Sequence, residues 1–107
     1  MRVRAVIILS EAAGDLEAGR TFYDEREPGV GRYFLDCLFS DLESLRLHAG
    51  IHSIHFEFHR LLSRRFPFAI YYDVTDDLAR VAAILDMRRD PAWIRKELNE
   101  RVRLKTS

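Results

Sequence analysis

Arginines and histidines are the residues of this chain whose types and spacing could do chemistry. Arg60, Arg64 and Arg65 lie close together, and Arg88 and Arg89 form a second group. A guanidinium is always charged and can grip phosphate or carboxylate through two parallel hydrogen bonds. Arg64, Arg88 and Arg89 are therefore candidates for binding a phosphate or a charged target. Arg60, Arg65, Arg88 and Arg89 are candidates for stabilising charge in a phosphoryl transition state. The structural alternative is that Arg88 or Arg89 pairs with Asp90 or closes carbonyls at a strand end, since structural ion pairs are common. If residues 60–65 form a strand, Arg60, Leu62 and Arg64 share one face, with Leu61, Ser63 and Arg65 on the other, so Arg64 and Arg65 point apart.

The histidines His48, His52, His55 and His59 are spaced by 4, 3 and 4 residues. On one helix they would form a stripe with the look of metal ligands. Gly50 interrupts such a helix, however, and the alternation of Ile54, Phe56 and Phe58 with His55, Glu57 and His59 favours an extended chain. No metal site or cofactor is expected, and surface or half-buried histidines are the better reading. A histidine acting as a general base is the sharper alternative. Cys37 excludes an internal disulfide, fits a reducing compartment and reads as a buried structural thiol. Tyr71 and Tyr72 fall on opposite faces of one strand, so one is expected in the core and the other towards solvent or a partner.

The chain has 107 residues, 48% hydrophobic, 32% charged and 11% aromatic. These proportions suit one globular domain over residues 1–107 with a modest core. The formal charges cancel, but the halves differ: residues 1–59 carry a net −4 and residues 60–107 a net +4. A basic second half could face phosphates; a mixed solvated surface is the plainer reading. Arg2 and Arg4 precede a short apolar run, but neither the length nor a small-residue cleavage site expected of a signal peptide follows. Nothing approaches the roughly 20 apolar residues of a membrane span.

Stepping along the chain, Val3–Leu9 is β-branched and apolar and reads as a first strand. Ser10 offers a helix N-cap, and Ala12, Leu16, Gly19 and Phe22 with Tyr23 follow helical spacing over about 11–26. Pro28-Gly29 breaks it. Phe34, Leu38, Leu42 and Leu45 mark a second helix over about 30–48, giving an antiparallel hairpin ended by Gly50. Residues 51–59 read as a strand or an extended lead-in. Arg60–Arg65, Phe68–Val74 and Arg80–Met87 read as strands, with Thr75-Asp76-Asp77 as a turn. Asp90 caps a short last helix from Pro91 to about Arg101, with Trp93, Ile94 and Leu98 inward, and residues 102–107 are expected to fray. The order β-α-α-β-β-β-α gives an α+β fold in which the hairpin covers one face of a mainly antiparallel sheet of about four strands.

Four local patterns accompany this order. They are Ala12-x-x-Asp15-Leu16 with Tyr23, then Gly31-x-x-Phe34, then Arg64-Arg65-Phe66-Pro67-Phe68-x-Ile70-Tyr71-Tyr72, and finally Ile84-Leu85-Asp86-Met87-Arg88-Arg89-Asp90-Pro91. Together they resemble the RelE/ParE superfamily of type II toxin–antitoxin toxins. The third is similar to the "R-x-F-P-Y-x-I-x-Y" core of its ParE-like (plasmid stabilisation) branch, and the fourth to its "V-L-H-x-R-R-D-P" close. Asp86 stands where many members have histidine, which removes a titratable imidazole.

The resemblance implies a cytoplasmic protein silenced by a cognate antitoxin, bound along the helix hairpin, roughly Ala12 to Leu47, and at a sheet edge. A homodimer or a hetero-oligomer with the antitoxin would follow. It also implies one of two targets: DNA gyrase for ParE-like members, or messenger RNA on the ribosome for RelE-like members. RelE-like nucleases use lysines, arginines and a C-terminal tyrosine. Of their positions, one lysine falls near Arg60 and the other near Leu62. One arginine falls on Ala69, the next on Arg88 or Arg89, and the tyrosine has no counterpart in residues 92–107. Two or three members of the set are missing. A growth inhibitor that binds its target without chemistry is therefore favoured over a ribonuclease with a rearranged site. A non-toxic binding module is the third reading.

Overall fold

A computed structural model describes residues 1–106 of the chain, with side chains described through Arg101. The strands are β1 (Ala5–Ile8), β2 (Ile54–His55), β3 (Phe58–Leu62), β4 (Phe68–Thr75) and β5 (Leu78–Asp86). The helices are α1 (Ser10–Arg26), α2 (Val30–Glu43), α3 (Leu45–His48) and α4 (Pro91–Thr106). The sheet has five strands in the order β1-β5-β4-β3-β2. β1 runs parallel to β5, and the other pairings are antiparallel.

The expected α+β architecture is present, with several differences of detail. The stretch 51–59 contains a hairpin: β2 turns at Phe56-Glu57 into β3, which ends at Leu62. The sheet therefore has a fifth strand, and Arg64 and Arg65 lie beyond the strand that was expected to carry them. The second helix is broken at Ser44, whose hydroxyl donates to the Asp41 carbonyl at 2.6 Å and so competes with the helical ladder. Leu9, not Ser10, occupies the cap of α1, and no side chain caps that end. Asp90 does cap α4, accepting from the Ala92 N–H at 2.9 Å. That helix continues to Thr106, past the end expected near Arg101, and Ser107 lies outside the described residues.

Period 3.6 on the hairpin and period 2 on the strands decide the two cores. Ala12, Leu16, Phe34, Leu38, Leu42 and Leu45 pack against Phe68, Ile70, Tyr72, Val81 and Ile84 on one face of the sheet. Ile94 and Leu98 of α4 pack against Phe58, Ala69, Tyr71, Ala83 and Leu85 on the other. Each fully buried side chain of this size contributes roughly 1.5–3 kcal/mol. Because both faces are covered, Tyr71 and Tyr72 are both buried, at 1% and 0% exposure, and neither is the solvent-facing residue expected. Phe66 and Phe68, on either side of Pro67, join Tyr23 and Phe34 in one aromatic cluster with ring centroids 4.8–5.3 Å apart for the closest pairs. The Phe-Pro-Phe motif thus docks the start of β4 onto the hairpin.

Two features shape the β5 side of the sheet. Opposite Tyr71 and Tyr72 the register passes from Ala83 to Val81, leaving Ala82 as the extra residue of a bulge. β1 flanks β5 only as far as Val81. Beyond it, side chains replace the missing neighbour: the Ile84 N–H donates to Asp15 at 2.9 Å and Arg101 donates to the Ala82 carbonyl at 3.0 Å.

Candidate functional site

The strand register lines up the positions that matter on the α4 face. Arg60 lies opposite Tyr71, which lies opposite Ala83; Leu62 lies opposite Ala69, which lies opposite Leu85. The positions matched to the nuclease set on these strands are therefore neighbours in space. One holds a cation, and the next two hold an exposed leucine and a buried alanine. The arrangement offers one guanidinium beside an aliphatic floor, where transition-state charge would need several donors.

Arg60 is half-buried, and its Nε has no hydrogen-bond partner. Among the described residues no carboxylate forms an ion pair with it. Burial pushes the Tyr71 phenol up, against the opposing effect of the Arg60 guanidinium beside it. The Tyr71 hydroxyl donates to the Met87 sulfur at 3.4 Å and faces the Arg60 guanidinium. This pair has the chemistry to hold an external anion, and no other arginine of the candidate set is brought to it by a described contact.

The other arginines go elsewhere. Arg88 is held by Asp86 through its backbone N–H at 2.8 Å, Nε at 3.0 Å and Nη2 at 2.7 Å, and it reaches the Tyr23 hydroxyl at 3.4 Å. Its guanidinium hydrogen bonds hold the Asp86 carboxyl below the usual carboxylate range, and Asp86 in turn raises the Arg88 pKa. The partner foreseen for this segment was Asp90, but Asp90 caps α4 and Asp86 takes the arginine. The residue standing in the place of the usual histidine is thus an anchor for Arg88. Arg89 lies over the Trp93 ring at 3.7 Å, a cation–π contact, beside a cleft of about 360 Å³ between α1 and α4 that Phe22, Phe68, Ile84 and Asp86 also line.

Arg64 and Arg65 do not point apart as alternate residues of a strand would. The buried carboxylate of Asp41 accepts from Ser63 Oγ at 2.7 Å and from the Arg64 N–H at 3.4 Å, which bends the chain out of the sheet. Both arginines then line one pocket of about 300 Å³ with Tyr33, Cys37 and Ser40. Cys37 is half-buried, lining this pocket while packing against the hairpin core. The five arginines therefore occupy at least three separate places: the α4 face, the α2 pocket, and the end of β5.

The acidic balance of the first half also has local explanations. Asp15 serves Arg101 and Ile84, Asp24 accepts from the N–H groups of Gly29 and Gly31, Asp41 holds Ser63, and Glu17 pairs with Arg20. The histidines form no stripe. His52 and His59 surround Tyr72, and His55 contacts the Ser53 hydroxyl at 3.1 Å.

Of the positions foreseen for a partner, the hairpin keeps Tyr33, Phe39 and Leu47 about half exposed. The sheet edges are β1 and β2, since β5 is closed by Asp15 and Arg101. Among the described residues Asp41 and Arg101 are the buried charged side chains, and neither was among the expected site residues. The i,i+4 spacing of Glu97 and Arg101 is the only sequence signal for the second. No described helix is long and apolar enough to cross a membrane.

No protein-family model matches the sequence, and no curated protein matches it. The fold does have a solved counterpart, described as the chromosomal ParDE TA system from P. aeruginosa. Its matching chain superposes with a TM-score of 0.68 at 20% sequence identity, covering 75% of this chain and 91% of that one. The helix hairpin on a mixed sheet, the closing α4 and this likeness together give the chain the α+β fold of that ParDE structure.

Proposed function

We propose that the chain is the toxin of a type II toxin–antitoxin pair, cytoplasmic and neutralised by a cognate antitoxin. It arrests growth by binding a macromolecular target such as DNA gyrase, without cleaving RNA. The observation that carries the second half of this reading is the row Leu62–Ala69–Leu85 beside Arg60. Where a ribonuclease needs converging cations, this surface is aliphatic, and Arg88 is committed to Asp86. The likeness to the P. aeruginosa system supports the toxin reading and the antitoxin partner. The half-exposed aromatics of the hairpin and the open strands β1 and β2 suit a partner that lays a helix on α2 and adds a strand to an edge.

Co-expression with the neighbouring reading frame, followed by purification, tests the pairing; a product that never co-purifies with this chain removes the antitoxin reading. A supercoiling assay with purified gyrase tests the target, and unchanged gyrase at saturating toxin removes it. A second reading, ribonuclease action on ribosome-bound message, is favoured by the half-buried, unbalanced guanidinium of Arg60. Mapping transcript ends after brief induction separates the two readings. Normal growth on expression without antitoxin leaves a non-toxic binding module.

A further inference from the structure

The connection from α3 to β3 is lightly built. β2 has two residues and pairs only with β3. Its two-residue turn holds Phe56 and Glu57 at φ 53° and 72°, a left-handed pair that suits Asn-Gly and strains other residues. Ala49 is fully buried in the hairpin core, and beyond it a phenol ties the segment to the sheet. Tyr72 is fully buried, its oxygen accepts from the Gly50 N–H at 2.9 Å, and it lies 2.5 Å from His52 Nδ1. The His59 ring stacks on Tyr72 with centroids 5.1 Å apart, and His59 Nδ1 lies 2.7 Å from the His52 carbonyl.

These contacts fix the protons. A carbonyl only accepts, so His59 carries a hydrogen on Nδ1. The backbone N–H groups of Gly50 and His52 both act on the phenol oxygen as donors, which leaves the phenol's own hydrogen for His52 Nδ1; that nitrogen is then bare and the ring proton sits on Nε2. Every group is satisfied only while His52 is neutral. A proton on Nδ1 sets an N–H against the Tyr72 O–H, and the hydrogen bond between the two side chains is lost.

We infer that His52 is a proton-operated latch: taking up a proton at Nδ1 releases residues 50–55, β2 included, from Tyr72 and β3 while the rest of the sheet stays folded. The titratable groups facing His52 are His48 at the end of α3, His59 on β3 and Tyr72 on β4. Charge on either neighbouring histidine works in the same direction. Burial, with those two histidines, already holds His52 below its ordinary 6.5. The folded form thus takes up its proton later than the unfolded segment. The latch is at full strength above pH 6.5 and weakens as pH falls from there towards the lowered folded value. Release bares the outer edge of β3 at Phe58 and His59.

Hydrogen exchange on the full chain tests this, read at Gly50 and at Arg60, whose N–H donates to the Ser53 carbonyl at 2.9 Å. After correction for intrinsic rates, protection at both should fall at least about tenfold more than at β4 and β5 amides between about pH 7.5 and 5.5. His52→Gln keeps an acceptor and cannot titrate, so its protection should not change with pH. Tyr72→Phe keeps the stacked ring and should lose protection at Gly50 at neutral pH. A pH-independent wild type, or an undiminished fall in His52→Gln, overturns the latch. Should Tyr72→Phe fail to fold, the wild type and His52→Gln decide the matter on their own.

Discussion

Arg101 of α4 and Asp15 of α1, 86 residues apart in sequence, meet at 2.5 Å over the free edge of β5. Glu97 joins at 3.2 Å and Glu11 at 3.7 Å, so three carboxylates surround a guanidinium that is 8% exposed. The pair does the work of an absent strand, since each member also satisfies a backbone group of β5. Removing one partner strands the other charge together with that backbone group. Arg101→Met and Asp15→Asn should each lower stability by about 3 kcal/mol, measured by urea denaturation. The double variant should cost much less than the two losses added together. Strict additivity would mean that the two residues act independently.

The three helical or near-helical glycines should behave differently. A Cβ on Gly19 would lie 2.5 Å from Phe34 Cζ, and one on Gly31 would lie 2.6 Å from the Arg20 carbonyl oxygen. Both positions are where α1 and α2 touch, and Phe34 is fully buried with no room to retreat. Gly19→Ala and Gly31→Ala should each destabilise by roughly 1–3 kcal/mol. Gly14 has nothing within 4 Å, so Gly14→Ala should stabilise by about 0.5–1 kcal/mol. Thermal melts of the three variants check the ordering.

Glu57 occupies the second left-handed position of the β2–β3 turn, at φ 72°. Glu57→Gly should relieve this and stabilise the chain by about 1 kcal/mol. Phe56 is better kept, because its ring packs beside the α4 core and under Arg95. An unchanged or lower melting temperature for Glu57→Gly would show that the turn is not strained.

Arg60 separates the two functional readings. Replacing a half-buried cation that has no carboxylate partner with an apolar chain of similar length removes a desolvation cost. Arg60→Met should therefore fold at least as well as the wild type. Under the target-binding reading it still arrests growth; loss of arrest together with loss of transcript cleavage would favour the nuclease.

Alkaline pH should weaken the fold through its tyrosines. Burial pushes both Tyr71 and Tyr72 above the ordinary 10. The neutral phenol belongs to the folded form, so their contribution is complete below pH 10 and is lost as pH rises from there through the raised folded values. Ultraviolet titration should show these phenols ionising only as the protein unfolds. Tyr71→Phe and Tyr72→Phe should each reduce the alkaline loss.

Much of this arrangement was legible in the residues. The leucine repeat of α2, the apolar strands β4 and β5 and the Asp90-Pro91 start of α4 follow from period and capping. The β2–β3 hairpin did not, because Phe56-Glu57 lacks the Gly or Asn that announces such a turn. The split of Arg64 and Arg65 from β3 depends on Asp41, a residue 22 positions before Ser63. Pattern rules do not see a side chain that bends a distant segment. Tyr71 was expected to compete with Tyr72 for the core because a second covering layer could not be weighed from a short amphipathic helix. Of the candidate site, the strand alignment of Arg60, Leu62 and Ala69 was readable. The pairing of Arg88 with Asp86 was not, since Asp90 stood equally near.

The parallel seam between β1 and β5 has a consequence for synthesis. β1 has its strand partner in residues 78–81. A nascent chain therefore carries β1 without its sheet partner until β5 has left the ribosome. Loop closure over such a span is slow compared with local helix formation. The window before that closure is when aggregation, proteolysis or capture by a waiting partner competes with folding.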